Sequence, residues 1–403
     1  MAFGPDSGEM SSHAGLPRRT GWIFFGLLAS LLMVATGISS AQQPSSQALP
    51  LTVSGLAGNG GDKATNELGQ LLQRISPFSL KPTQGAPVAA GTVGEGFVDG
   101  QLSSADGRVL FQRKYQRGSL GADLRQFADD IVLTLTKRPG IATSQIAFSF
   151  SESGKPFQIY ACDFDGGNLR QLTTSSGSHV APALSPDGRM LANVVLQQGD
   201  RGVVQVVDLE KAKVSSLRMN PAARIQSAIS PNGKRLALSL SEDGGPNSDL
   251  YVAKLPNGKP TRLTETPVPE SSPSWSPDGK RLVFAAPPAP GRSDLFVFDL
   301  RQKKSTPLPT GKSMAIDPAW SPDGTRIAFV SVSGDRRTLC VRPVQGGQAR
   351  ELTSGSQPVW GADSRHLLFV DPGGKLSLIR IDTGKVSPVI TGGGRVVDPT
   401  WTR

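Results

Sequence analysis

From about residue 145 to the C-terminus, apolar and polar positions alternate in short runs such as Arg281 to Ala285, Arg326 to Val330 and Asp294 to Asp299. Clusters of Gly, Pro, Asp and Ser separate them. A period of two between such breakers predicts many short β-strands. Upstream the period changes. Leu68, Leu71, Leu72 and Ile75 recur at helical spacing after a capping Asp62 and stop before Pro77. Ser119 caps a second such run, Leu124, Phe127, Ala128, Ile131 and Leu135, ended by Pro139 and Gly140. Between them Gly94 to Val98 and Arg108 to Arg117 alternate like strands, joined by an Ala105-Asp106-Gly107 turn. The pattern predicts a small α/β domain over residues 51–140, a short linker near Pro139 to Ser144, and an all-strand region over 145–403.

The strand region repeats. Ser-Pro-Asp-Gly occurs at Ser185, Ser276 and Ser321, and Ser-Pro-Asn-Gly at Ser230, in steps of 45, 46 and 45 residues. A degenerate copy, Gly361-Ala362-Asp363-Ser364, follows 40 residues on. Trp275, Trp320, Trp360 and Trp401 each immediately precede an anchor position, and Leu184 and Ile229 fill that place in the first two copies. In each copy Pro presets φ, Asp187, Asn232, Asp278 or Asp323 bonds back to nearby backbone, and Gly188, Gly233, Gly279 or Gly324 takes positive φ. The motif is therefore a tight hairpin turn. With a third strand and a fourth ending in Leu-Thr (Leu172, Leu263, Leu352), each unit reads as one blade of a β-propeller.

Residues 145–173 supply strands two to four of a blade without a first strand, and residues 398–402 supply a first strand with nothing after it. Joining them gives five complete units plus one composite. The expected fold is α+β and multidomain: the small N-terminal α/β domain, then a six-bladed β-propeller closed by the C-terminal strand. Closure would remove the exposed edges of an open array.

Composition fits this. Of 403 residues, 46 are Gly and 32 Pro, too many for a helical bundle. Cys162 and Cys340 fall on third strands two blades apart, beyond disulfide reach, and are expected to be buried free thiols. At the start, Arg18 and Arg19 precede an uncharged run from Trp22 to Ile38, then Ser39, Ser40 and Ala41. That order reads as a secretory signal over residues 1–41, cut between Ala41 and Gln42, or as the same stretch kept as an anchor. Residues 42–50 form a polar, flexible leader. The net charge of +10 is spread without a basic stripe, so nucleic acid is not an expected partner.

Chemistry is scarce. After the signal only His179 and His366 remain as histidines, and no nucleophile elbow or phosphate loop occurs. No catalytic residue, metal site or cofactor is expected, and His179 reads as a surface side chain. A propeller instead offers a partner its channel mouth, where loops from each fourth strand enter the next first strand. Three places before each Trp-equivalent position these loops hold Ala181, Gln226, Ser272, Asp317, Gln357 and Asp398, with His179, Arg224 and Glu270 beside them. This ring is the candidate partner-binding site.

The signal, the small α/β domain, the run Gly140-Ile141-Ala142-Thr143-Ser144-Gln145-Ile146-Ala147-Phe148 and the W-S-P-D-G repeats together resemble the TolB family, over essentially the mature chain. Gly55 to Gly69 and Gly91 to Val98 are also similar to it. The region Lys81 to Thr92 is short for the family, and the leader carries no residue that matches its pattern. The resemblance implies a non-enzymatic periplasmic scaffold of the Tol-Pal system, peripherally associated with the envelope. It implies binding of a Pal-like peptidoglycan-associated lipoprotein near the inner-strand approach, and of a TolA-like protein through the N-terminal segment. It also implies roles in outer-membrane integrity and cell division. An exported propeller with another protein partner is the alternative. A propeller-type hydrolase would need an appended domain, and a metal-dependent lyase would need several channel histidines.

Overall fold

A computed structural model describes residues 48–197, 201–220, 222–390 and 392–402, the side chain of Arg224 excepted. The signal, the Ala41–Gln42 cut and most of the leader lie outside the described residues. At the leader's end, Leu49–Pro50 already pairs in parallel with Phe78–Ser79.

Strands Thr52–Gly58, Val88–Gly94, Phe97–Ser103 and Val109–Tyr115 form one sheet in that order, the first pair parallel and the rest antiparallel. Helices α1 (Gly61–Ile75) and α2 (Leu120–Thr136) bury Leu68, Leu72, Ile75, Leu124, Phe127 and Ile131 in a core shared with sheet residues such as Leu56, Val98 and Leu102. Ser119 caps α2 by accepting a hydrogen bond from Ala122 N at 3.3 Å. Asp62 does not cap α1. The N-cap is Gly60 at φ 78, with no side-chain cap, and Asp62 sits in the first turn. The chain must reverse just after Gly58, which calls for a left-handed residue, while Asp62 still faces the positive end of the helix dipole. Gly94 to Val98 is likewise not a strand but the Glu95-Gly96 hairpin turn between two strands, because so short an alternation cannot tell the two apart.

The apolar core continues beyond these helices into Ile141, Ile146, Phe148, Phe164 and Trp401. Asp129 of α2 is buried and accepts from Ala142 N (2.8 Å), Thr143 N (2.9 Å) and Thr143 Oγ1 (2.7 Å). Arg125 pairs with Asp163 and Asp165 across the same junction. The linker is thus anchored at its middle, where Ile141 and Ala142 are buried while Pro139 and Thr143 stay exposed.

In the repeat region, Ser271–Trp275, Ala315–Trp320 and Ser356–Trp360 each begin a four-stranded antiparallel sheet. The last strand, Arg395–Trp401, pairs antiparallel with Gln145–Ser151 and heads a fourth such sheet. The two remaining units differ from the expected separate blades, because they share one eight-stranded sheet. Arg201 and Gly202 pair with Ala223 and Ala222 of the next unit's first strand. On its other side Gly202 comes close to the preceding strand of its own unit, where a Cβ would lie 2.8 Å from Val195 O. The six first strands neighbour one another in cyclic order, Arg395–Trp401 touching both Ser356–Trp360 and His179–Leu184.

The hairpin turns follow their chemistry. Asp187, Asn232, Asp278 and Asp323 each accept at Oδ1 from the Ser hydroxyl two residues back and from the backbone N–H two residues on. Gly188, Gly233, Gly279 and Gly324 have φ of 65 to 75°. In the degenerate copy Ser364 takes that place at φ 55, while Asp363 binds His366 Nδ1 at 2.6 Å. Trp275, Trp320 and Trp360 are fully buried between neighbouring sheets. The arginine opening the second strand of the preceding unit stacks on each: Arg235 at 4.6 Å, Arg281 at 4.9 Å and Arg326 at 5.2 Å from the ring centroids. Cys162 and Cys340 are free and buried, and burial pushes the Cys162 thiol up to about 12.

Candidate functional site

Each of the six first strands breaks its ladder, five of them at the same place and the strand ending at Ile229 two residues earlier. The register shifts fall at Val180/Ala183, Ala223/Gln226, Ser271/Ser274, Ile316/Ala319, Ser356/Val359 and Val397/Thr400. Five of the six carry Pro at the bulge: Pro182, Pro273, Pro318, Pro358 and Pro399. Pro has no N–H for the ladder, so a bulge there loses little. The preceding residue is thrown into the left-handed region: Ala181, Ser272, Asp317, Gln357 and Asp398 have φ of 50 to 53°. For non-glycine residues this costs of order 1–3 kcal/mol each and is found where surrounding structure holds it in place. The regular Pro two residues before each Trp was the sequence signal for these bulges.

The holding structure is a circuit of hydrogen bonds between neighbouring first strands. Ser272 N donates to Gln226 Oε1 (2.6 Å) and Ser272 Oγ to Asp317 Oδ1 (3.0 Å). The Gln357 backbone N–H bonds the Asp317 carboxylate. Asp398 N donates to Gln357 Oε1 (2.9 Å), and Ala181 N to Asp398 Oδ2 (3.2 Å). Ser227 Oγ then donates to Ala181 O (3.3 Å), bringing the circuit round. All six ring residues line one opening of about 160 Å³. A deeper cavity of about 170 Å³ is walled by the prolines, Trp360 and Trp401.

Burial pushes the carboxyls of Asp317 and Asp398 up, against the hydrogen bonds they accept. Donors from neighbouring strands meet both carboxyls, so the ring is a hydrogen-bonded collar rather than two free side chains, which suits hydrogen bonding and shape recognition.

The residues expected beside the ring behave differently. His179 is buried, not on the surface. Asn193 Nδ2 donates to its Nδ1 at 2.7 Å and its Nε2 faces Ser175 Oγ at 2.7 Å. Hydrogen-bond partners thus occupy both ring nitrogens. Burial also holds its pKa down. Glu270 is buried too: its Oε2 accepts from Thr264 Oγ1, and its carbonyl accepts from Ser239 and Ser248. Neither residue lines the ring opening. The Arg224 side chain lies outside the described ones. Among the described residues, no group of three or more His, Cys, Asp or Glu is placed to hold a metal ion.

Burial raises the Glu270 carboxyl to about 7, the hydrogen bond from Thr264 offsetting part of this. A carboxyl raised on folding is protonated more readily in the native state. Stability therefore falls as pH rises from about 4.5 to about 7 and stays at the lower level above. Glu270→Gln is expected to remove that slope and raise stability above pH 7 by on the order of 2 kcal/mol. Thermal melts across that pH range would show it, and an unchanged slope in the variant would refute the assignment.

A family model for the TolB beta propeller domain matches residues 132–403. A protein TolB homolog of Chlorobium chlorochromatii is 34% identical over 218 residues, 52% of this chain and 48% of that protein. A Tol-Pal system protein TolB of Anaeromyxobacter dehalogenans is 30% identical over 163 residues, 38% of this chain and 36% of that protein. The alignments thus span about half or less of the curated relatives' length. The crystal structure of TolB from Acinetobacter baumannii shares the fold: TM-score 0.74, 19% identity, covering 88% of this chain and 97% of that one.

Proposed function

The chain belongs to the TolB beta propeller domain family, and on that premise we propose that it is a periplasmic scaffold of the Tol-Pal system, without catalytic activity, that captures a Pal-like lipoprotein. In this reading residues 51–140 are its N-terminal domain and residues 145–403 a six-bladed propeller closed by the last strand. The leader ahead of them engages a TolA-like protein, and the assembly supports outer-membrane integrity and cell division. What supports the capture surface is the collar of left-handed residues around a single opening, since strained, mutually supported backbone concentrates at recognition sites. No helix among the described residues is long and apolar enough to cross a membrane.

The test is capture of a purified Pal-like lipoprotein by ring variants. Asp317→Asn and Asp398→Asn preserve size, and each is expected to weaken capture roughly tenfold, about 1.4 kcal/mol. Unaltered affinity in the double variant would sink the ring as the capture surface.

A further inference from the structure

Beside the ring opening lies a second cavity of about 590 Å³, which shares Asp317 and Gln357 with it. Three exposed arginines line it: Arg336 and Arg337 at the start of strand Arg336–Pro343, and Arg395 at the start of the last strand. Their backbones pair in the sheets, but none of the three guanidiniums forms a hydrogen bond or contact ion pair with the described residues. They are felt only at longer range, Arg337 by Asp317, Arg395 by Asp398 and Arg336 by Glu351.

The carboxylates lining the same cavity are in the opposite condition. Asp371 accepts from Gly373 N (2.9 Å), Lys375 N (3.0 Å) and Ser377 Oγ (3.3 Å) of its own hairpin. Asp317 is taken up by Ser272. Only Asp335, exposed at the hairpin tip, is without such donors. The cavity thus offers three unanswered guanidinium forks while most of its acceptors are already used. Guanidinium forks match carboxylates and phosphates in bidentate geometry.

We propose that this cavity receives an acidic side chain of an extended polypeptide segment lying across the ring face. A segment suits it better than a free phosphate for two reasons. Asp335 and Asp371 repel a doubly charged ion more than a single carboxylate. The cavity also runs on into the ring opening and has apolar wall from Val370 and Val396, which can take the rest of a chain. The proposal rests on the ring-face reading above only for where the segment continues.

The probe is a short fluorescent oligo-glutamate peptide, titrated at low salt onto the whole protein. Saturable binding is expected, weakened roughly tenfold by each of Arg336→Gln, Arg337→Gln and Arg395→Gln and abolished in the triple variant. Arg108→Gln, which removes the same charge from the N-terminal sheet, should leave it unchanged. Because the three arginines are exposed and unpaired, melting temperature should not move. No binding overturns the proposal, as does equal weakening by Arg108→Gln, which would mean attraction to net charge alone. Displacement by inorganic phosphate with the same arginine dependence overturns it in favour of a small-anion site. Loss of Pal-like capture in ring variants that still bind oligo-glutamate supports the cavity; failure of all Pal-like capture with oligo-glutamate binding intact refutes the partner reading alone.

Discussion

Removing Asp398 to Arg403 is expected to abolish cooperative unfolding of the repeat region rather than trim one edge. The deletion takes Trp401, which is buried in the core that joins helix α2 to the first sheet. Loss of a buried tryptophan alone costs about 3–5 kcal/mol. It also takes Thr400 and Trp401 off their partners Ala147 and Ile146. The paired bonds Thr402 N to Gln145 O and Gln145 N to Thr402 Oγ1 go as well, both 2.9 Å, as does Trp401 Nε1 to Ser144 Oγ at 2.6 Å. Asp398 leaves the ring, and the N–H of Ala181 loses its acceptor. At about 1 kcal/mol per hydrogen bond the total approaches the 5–15 kcal/mol that holds a typical domain together. Calorimetry of the truncated chain should show a broad, low-temperature transition. An unchanged melt would mean that the last strand contributes no more than a surface tail.

Trp275→Ala should be the most damaging single substitution among the sheet-to-sheet contacts. The indole is 1% exposed, donates to Ala228 O of the preceding first strand at 2.9 Å, and lies under the Arg235 guanidinium. Truncation leaves a cavity between two sheets, costing about 3–5 kcal/mol, with about 0.5–1 kcal/mol more from the lost cation–π contact. Trp275→Phe keeps most of the packing and strands one carbonyl, so its cost should be nearer 1–3 kcal/mol. Urea titrations at unchanged slope would separate the two. Equal, small shifts for both would show that the sheets are held together elsewhere.

Much of the repeat region was legible because its chemistry is local. Ser-Pro-Asp-Gly specifies its own turn through a proline φ, a side chain bonding two residues on and a left-handed glycine, and the Trp register marks the strand before it. The ring positions could be counted from that register alone, and the structure brings all six of them to one opening. Their conformation could not be read the same way. A left-handed Ala181 or Gln357 is tolerated only because the neighbouring strand supplies the hydrogen-bond partner, and that neighbour lies 41 to 46 positions away in the chain, or 217 where Asp398 meets Ala181. His179 and Glu270 lie close to the ring in sequence, but their burial depends on Asn193, Ser239, Ser248 and Thr264, which pattern alone does not bring together.

The same division runs through the N-terminal part and the charge. Helical periods placed α1 and α2, since amphipathic spacing is a property of a single segment, whereas the cap of α1 and the hairpin at Gly96 depend on where the preceding strand ends. Net charge is a sum and carries no positions. Only the packed sheets show that Arg235, Arg281 and Arg326 are spent on tryptophan faces between repeats, while Arg336, Arg337 and Arg395 are left without a contact partner beside the ring. Turn, strand and helix were determined by the sequence because their causes lie within a few residues. Burial, strain and unpaired charge were decided by the tertiary structure because their causes lie on other strands, brought alongside only by packing.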